Sequence, residues 1–97
     1  MELIEIPEAF QSKLRLMIVS ALTMGKKSFT ELKAITHATD GNLSVQITKL
    51  EQWEYVTVSK LFVNRKPVTT CELTPKGLAD FQAYVDLLNR IITAPID

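Results

Sequence analysis

Thr39-Asp40-Gly41-Asn42-Leu43-Ser44-Val45-Gln46-Ile47-Thr48-Lys49-Leu50-Glu51 places Leu43, Ile47 and Leu50 at a four-then-three spacing, which gathers them on one side of a helix. Asn42, Ser44, Val45, Thr48, Lys49 and Gln52 fall on the other sides. One side anchors and the other is free to read something. Thr39 caps the start by accepting a backbone N–H, and Asp40 in the first turn complements the positive end of the helix dipole. Any amphipathic helix of a small domain shares this pattern, so the flanking segments decide what it is for.

Upstream, His37 stands where one helix must stop before the next begins, a place suited to a left-handed residue, which histidine tolerates better than most. It reads as a surface turn residue, since no acid, nucleophile or second ligand stands beside it. Before it, Thr30-Glu31-Leu32-Lys33-Ala34-Ile35 predicts a short helix capped by Ser28 or Thr30, with Leu32 and Ile35 inward. Ser28-Phe29 predicts a short extended piece, and Gly25-Lys26-Lys27 a break. A first helix is expected from Pro7 to about Thr23, with Phe10, Leu14, Met17, Ile18, Ala21 and Leu22 as its core face.

Downstream, Val56-Thr57-Val58-Ser59-Lys60-Leu61-Phe62-Val63 predicts a strand with Val56, Val58 and Phe62 on one face. Asn64-Arg65-Lys66-Pro67 punctuates it, and Val68-Thr69-Thr70-Cys71-Glu72-Leu73 predicts a second strand with Thr69, Cys71 and Leu73 toward the core. The product is a hairpin with a basic tip. Thr74-Pro75 restarts a helix, in which Leu78, Phe81, Val85, Leu88 and Ile92 repeat at nearly heptad spacing to about Thr93, before Pro95.

Composition narrows the class. Ninety-seven residues, 46% hydrophobic and 23% charged, suit one soluble domain spanning 1-97. No apolar run approaches the roughly 20 residues that cross a bilayer, and the opening lacks the basic region and cleavage site of a signal peptide. A cytoplasmic protein without a membrane partner is expected. One cysteine, Cys71, makes no internal disulfide and reads as a buried small hydrophobe; with a single histidine there is no zinc set. No cofactor or metal is expected. An enzyme is disfavoured, for no Gly-rich phosphate loop, nucleophile with base or recognisable carboxylate pair is present.

Two short helices joined by a tight turn, then a hairpin with a basic tip, form the layout of a winged helix-turn-helix. The expected class is mainly α (α+β), with a two-stranded wing and a long C-terminal helix. At this point the residues resemble a known family. Thr39-Asp40-Gly41-Asn42-Leu43-Ser44, Lys49-Leu50-Glu51, Tyr55-Val56, Phe62 to Thr70 and Leu73-Thr74-Pro75-Lys76-Gly77 are similar to small winged-helix transcriptional regulators related to the MarR and ArsR types, in register over about residues 7 to 92.

The resemblance implies a homodimeric regulator, a repressor by its small size, with double-stranded DNA as its partner. By position it puts Asn42, Ser44, Val45, Thr48 and Lys49 of the third helix in the major groove and Asn64, Arg65 and Lys66 at the wing tip, on the backbone or minor groove. It gives Leu78, Phe81, Val85, Leu88 and Ile92 to a dimer interface, over a helix of about 75-93. Val45 and Gln46 stand where the family often has a basic pair, which removes the strongest guanine reader. His37 and Ala38 replace the usual glycine and large apolar residue of the turn, and Cys71 replaces an aromatic.

Charge refines the expectation, because phosphate attraction supplies most non-specific DNA affinity. Residues 60 to 66 hold Lys60, Arg65 and Lys66 and no acid, for +3; residues 11 to 33 hold Lys13, Arg15, Lys26, Lys27 and Lys33 against Glu31, for +4; residues 39 to 54 come to −2. This distribution predicts phosphate clamping by the wing and the first two helices, with modest A·T-leaning readout through Val45, Asn42 or Gln46. The alternative is a winged-helix protein-protein interaction module, to which the acidic, arginine-poor third helix is suited. The sequence names neither an operator nor an effector.

Overall fold

The computed structural model describes residues 6–93. The expected stop before Pro95 and the reading of residues 1–5 as lacking a signal peptide lie outside them. The elements are a 3₁₀ turn at Glu8–Gln11, α1 Lys13–Leu22, β1 Lys27–Ser28, α2 Phe29–Thr36, α3 Asp40–Gln52, β2 Val56–Val63, β3 Lys66–Leu73 and α4 Pro75–Thr93. The strands form one antiparallel sheet in the order β1-β3-β2.

The first helix departs from expectation by breaking at Ser12. Ser12 is extended and its hydroxyl accepts from the Arg15 backbone N–H, so a new helix starts there. The Arg15 guanidinium also donates to the carbonyls of Glu8 at 3.0 Å and Ala9 at 3.1 Å, the acceptors that a continuous α-helix offers to the N–H groups of Ser12 and Lys13. A side chain thus satisfies what helical backbone would have satisfied. The inward stripe of α1 is Arg15, Ile18, Val19 and Leu22, with Leu14, Met17 and Ala21 only half-buried.

The helix-turn-helix follows the sequence more closely. Ser28 caps α2 through a reciprocal box: its hydroxyl accepts from the Glu31 N–H and its own N–H donates to the Glu31 carboxylate. Those bonds hold the Glu31 carboxyl below its ordinary value. Phe29 is helical rather than extended, and α2 turns Phe29, Leu32 and Thr36 inward. Ile35 is therefore not inward; it is 42% exposed. His37 ends the helix at φ 58°, ψ 21°, its N–H donating to the Lys33 carbonyl. Thr39 caps α3 by accepting from the Asn42 N–H, and Leu43, Ile47 and Leu50 are buried.

The hairpin turn is tighter than Asn64 to Pro67. Val63 pairs with Lys66, so only Asn64 and Arg65 form the loop, at φ 51° and 64°. Left-handed backbone at both positions matches the twist of the strands. Asparagine suits such a site, whereas Arg65 in it costs on the order of 1 kcal/mol. Lys66 and Pro67 belong to β3. In this register Val63 and Lys66 exchange the hydrogen bonds, so the nitrogen of Pro67 faces away from β2, where β1 does not reach.

The core joins Phe10, Ile18, Val19, Leu22, Leu32, Leu43, Ile47, Leu50, Tyr55, Val56 and Cys71. Phe10 stacks on Tyr55 at 5.5 Å and Tyr84 at 5.3 Å and meets the edge of Phe81 at 5.9 Å, tying the N-terminal turn to α4. Thr74 and Pro75 start α4 as expected: the Thr74 hydroxyl accepts from the Gly77 N–H and donates to the Glu54 carbonyl. Gly77 lies so close to the Tyr55 carbonyl that a Cβ has no room. Along α4, Phe81 and Leu88 are half-buried, while Leu78, Val85, Ile91 and Ile92 are exposed, Ile92 by 77%.

Candidate nucleic-acid interface

Burying Leu43, Ile47 and Leu50 fixes the rotation of α3 and turns Asn42, Ser44, Val45, Thr48 and Lys49 outward. All five are exposed, Val45 by 52%. The Thr48 hydroxyl donates to the Ser44 carbonyl at 2.9 Å, within the helix. Across from them, the sheet contributes Lys60 and Thr69. These two line one cleft with Ser44, Thr48 and Glu51, together with the apolar Phe29, Ile47 and Val58. The root of the wing and the outer face of α3 are thus walls of a single concavity, which carries one charge of each sign, Lys60 from the sheet and Glu51 from α3.

Gln46 is not free to read. Its side-chain carbonyl accepts from the Arg15 guanidinium at 2.8 Å, and its amide N–H donates to the Asn42 carbonyl oxygen at 3.3 Å. Arg15, in turn, lies over the Trp53 ring at 5.2 Å and is 9% exposed. The chain Arg15–Gln46–Asn42 spends Gln46 on holding Asn42, whose amide is left with its N–H groups as the outward donors.

The basic segments also change. Arg15 is buried, and Lys33 pairs with Asp40 at 2.6 Å, so the +4 of residues 11 to 33 falls to +2, from Lys13, Lys26 and Lys27 against Glu31. The exposed cations near α3 and the wing are Lys49, Lys60, Arg65 and Lys66. Asn64, Arg65 and Lys66 come together at the hairpin tip, away from the core. The five α4 residues expected at a dimer interface lie on a different element from both of these groups.

Sequence reasoning missed the burial of Arg15 and the exposure of Phe62. Phe62 shares the face of Val56 and Val58, as its alternation predicts, yet it is 79% exposed because the hairpin outruns the helices beneath it. The even register of Lys60 with Val56 and Val58 puts it on the α3 side, a signal present in the sequence beside its charge.

Tyr55 and Cys71 lie in the support of this surface. The Tyr55 hydroxyl donates to the Asp80 carboxylate at 2.7 Å, and burial, followed by that bond, pushes its pKa up to about 12. Burial, and then the Glu51 charge, push the Cys71 thiol up to about 11. Among the described residues no cluster of three or more metal-ligating side chains occurs, and no helix is long and apolar enough to cross a membrane.

Residues 14–92 match the family of winged helix DNA-binding domains. A transcriptional regulator homologue from Pyrococcus horikoshii OT3 is similar at 26% identity with a TM-score of 0.82, over 89% of this chain and 86% of that one. A protein described as a transcriptional regulator of the MarR family from Enterococcus faecalis V583 is similar at 26% identity and TM-score 0.77, over 88% and 77%. The transcriptional repressor BigR from Xylella fastidiosa, at 23% identity and TM-score 0.69 over 94% and 85%, shares the fold. No curated protein matches the sequence.

Proposed function

The chain belongs to the winged helix DNA-binding domain family, and on that premise we propose that it is a sequence-specific, homodimeric transcriptional repressor acting on double-stranded DNA in the cytoplasm. The observation that carries this reading is the pairing of an outward polar face on α3 with a cationic hairpin tip beside it. In this reading α3 enters the major groove. Asn42, Ser44, Thr48 and Lys49 meet base edges or nearby phosphates, and Val45 packs on a thymine methyl. Arg65 and Lys66 neutralise phosphates or enter the minor groove, with Asn64 setting the turn. The activity in this reading is binding.

The dimer is formed through α4, with Leu78, Phe81, Val85, Leu88 and Ile92 between protomers in a single-domain chain. Its support is the apolar surface that α4 leaves exposed, which exceeds what one helix needs to pack on its own core. Each protomer then meets a half-site, with centres about 34 to 36 Å apart.

Selection from a random duplex library at low and moderate salt tests the reading. Enrichment of a two-fold-symmetric site supports it. Retention without enrichment reduces it to backbone binding. Absence of retention favours a protein-interaction module, a second reading to which the small number of free cations near α3 is suited.

A further inference from the structure

We propose that Phe62 and Pro67 form an apolar wedge that enters the DNA minor groove and opens a base step there, a role that rests on the DNA-binding reading above. Phe62 and Pro67 are cross-strand partners, one pair from the turn, on the face that carries Val58 and Cys71 deeper in the sheet. That face looks toward the α3 side, yet at this pair there is nothing under it: Phe62 is 79% exposed and Pro67 is exposed. An exposed aromatic beside a proline loses by its position in water and gains by insertion into an apolar site.

The surroundings identify the occupant. Lys60 shares the face of the pair two residues along β2, Arg65 stands in the turn beyond it, Lys66 lies next in sequence on the opposite face, and residues 60–66 contain no acid. An apolar point flanked by Lys60 on its own face and Arg65 at the turn complements a groove whose floor is stacked bases and whose two walls are phosphates. Phenylalanine and proline are among the side chains that serve as wedges between base steps, and pyrimidine–purine steps open most easily. The tip also keeps arginine at φ 64°, a position that glycine occupies more comfortably. The turn therefore places a guanidinium next to the wedge at some conformational cost, and a narrow A·T-rich minor groove attracts that guanidinium.

The wedge and the cations have separable signatures. Burial of a ring releases no counterions, whereas each phosphate contact steepens the salt dependence. The test uses the full chain and an A·T-rich duplex with 2-aminopurine at its TA steps, comparing the parent protein with Phe62→Ala and Arg65→Ala. The parent is expected to raise 2-aminopurine emission on binding. Phe62→Ala should bind about tenfold more weakly with the same salt slope and without the rise in emission. Arg65→Ala should flatten the slope and keep the rise.

If Phe62→Ala matches the parent in affinity and emission while Arg65→Ala weakens binding, the wedge is overturned and the DNA-binding reading stands. If the parent binds no duplex even at low salt, both fall. Because Phe62 touches little of the protein, its replacement leaves the fold intact, which circular dichroism checks.

Discussion

The guanidinium of Arg15 and the side-chain carbonyl of Gln46 meet at 2.8 Å, joining α1 to α3 through residues 31 positions apart. The same guanidinium holds two carbonyls of the preceding turn and lies over Trp53. A fork of fixed donors fits three acceptors at once, and a lysine does not. Arg15→Ala should therefore cost about 2–4 kcal/mol in urea unfolding, and Arg15→Lys should recover little of it. Full recovery by lysine would show that the charge matters and the fork does not.

Gly77 and Gly41 make a matched pair. Alanine at Gly77 meets the Tyr55 carbonyl, which accepts from the Thr74 N–H at 3.0 Å and fastens the start of α4. Alanine at Gly41 meets nothing within 4 Å in the first turn of α3. Gly77→Ala should lower stability by about 1–3 kcal/mol. Gly41→Ala should raise it by about 0.4–1 kcal/mol. Thermal melts of the two variants read the contrast directly.

Tyr55 makes stability depend on alkaline pH. Its folded pKa of about 12 lies above the ordinary 10.0, so the fold favours the protonated phenol. The contribution is fully present below pH 10 and is lost as pH rises from there through 12. Tyr55→Phe should flatten the stability profile in that window, at a cost near neutrality of about 1 kcal/mol from the lost bond to Asp80.

Cys71 should resist alkylation. Its thiol is buried and is pushed up to about 11, which leaves little thiolate at neutral pH. Native protein treated with iodoacetamide should label slowly, and denatured protein at the same pH much faster. Equal rates in the two states would place the thiol at the surface.

On DNA, Thr48→Ala and Arg65→Ala should differ in kind. Thr48 stands on the outer face of α3, and its replacement should change which sequences are enriched from a random library. Arg65 stands in the turn, and its replacement should weaken binding to all sequences alike while reducing the salt slope by about 1. An unchanged affinity and slope for Arg65→Ala would remove the wing from the interface.

Elements set by local chemistry were legible in the residues. Leu43, Ile47 and Leu50 set the rotation of α3, Thr39 and Thr74 marked helix starts, and His37 marked the left-handed stop. What escaped depends on partners far along the chain. A cation within a helical stripe reads as solvent-facing, and only the meeting of Arg15 with Gln46 and Trp53 buries it. The break at Ser12 follows from the other bonds of the same guanidinium, to the Glu8 and Ala9 carbonyls. Arg65 does not announce a two-residue turn as glycine would, so the sequence alone extends the loop over Lys66 and Pro67, which pair within the sheet. Counting charges by segment overstated the basic surface because Arg15 and Lys33 already have partners.

Phe10, held between Tyr55 and the paired aromatics of α4, sets up a mechanical ratio. Helix α4 has 19 residues, about 28 Å of rigid rod, and its aromatic contacts with Phe10 lie at Phe81 and at Tyr84, its midpoint. Pivoting on that cluster by about 5° sweeps the distal ten residues, a length of about 15 Å, through more than an ångström at the tip. With the start of α4 fastened at Thr74 and its middle at Phe10, the distal half is the arm, and a small repacking around Phe10 is delivered as a larger displacement at Ile92.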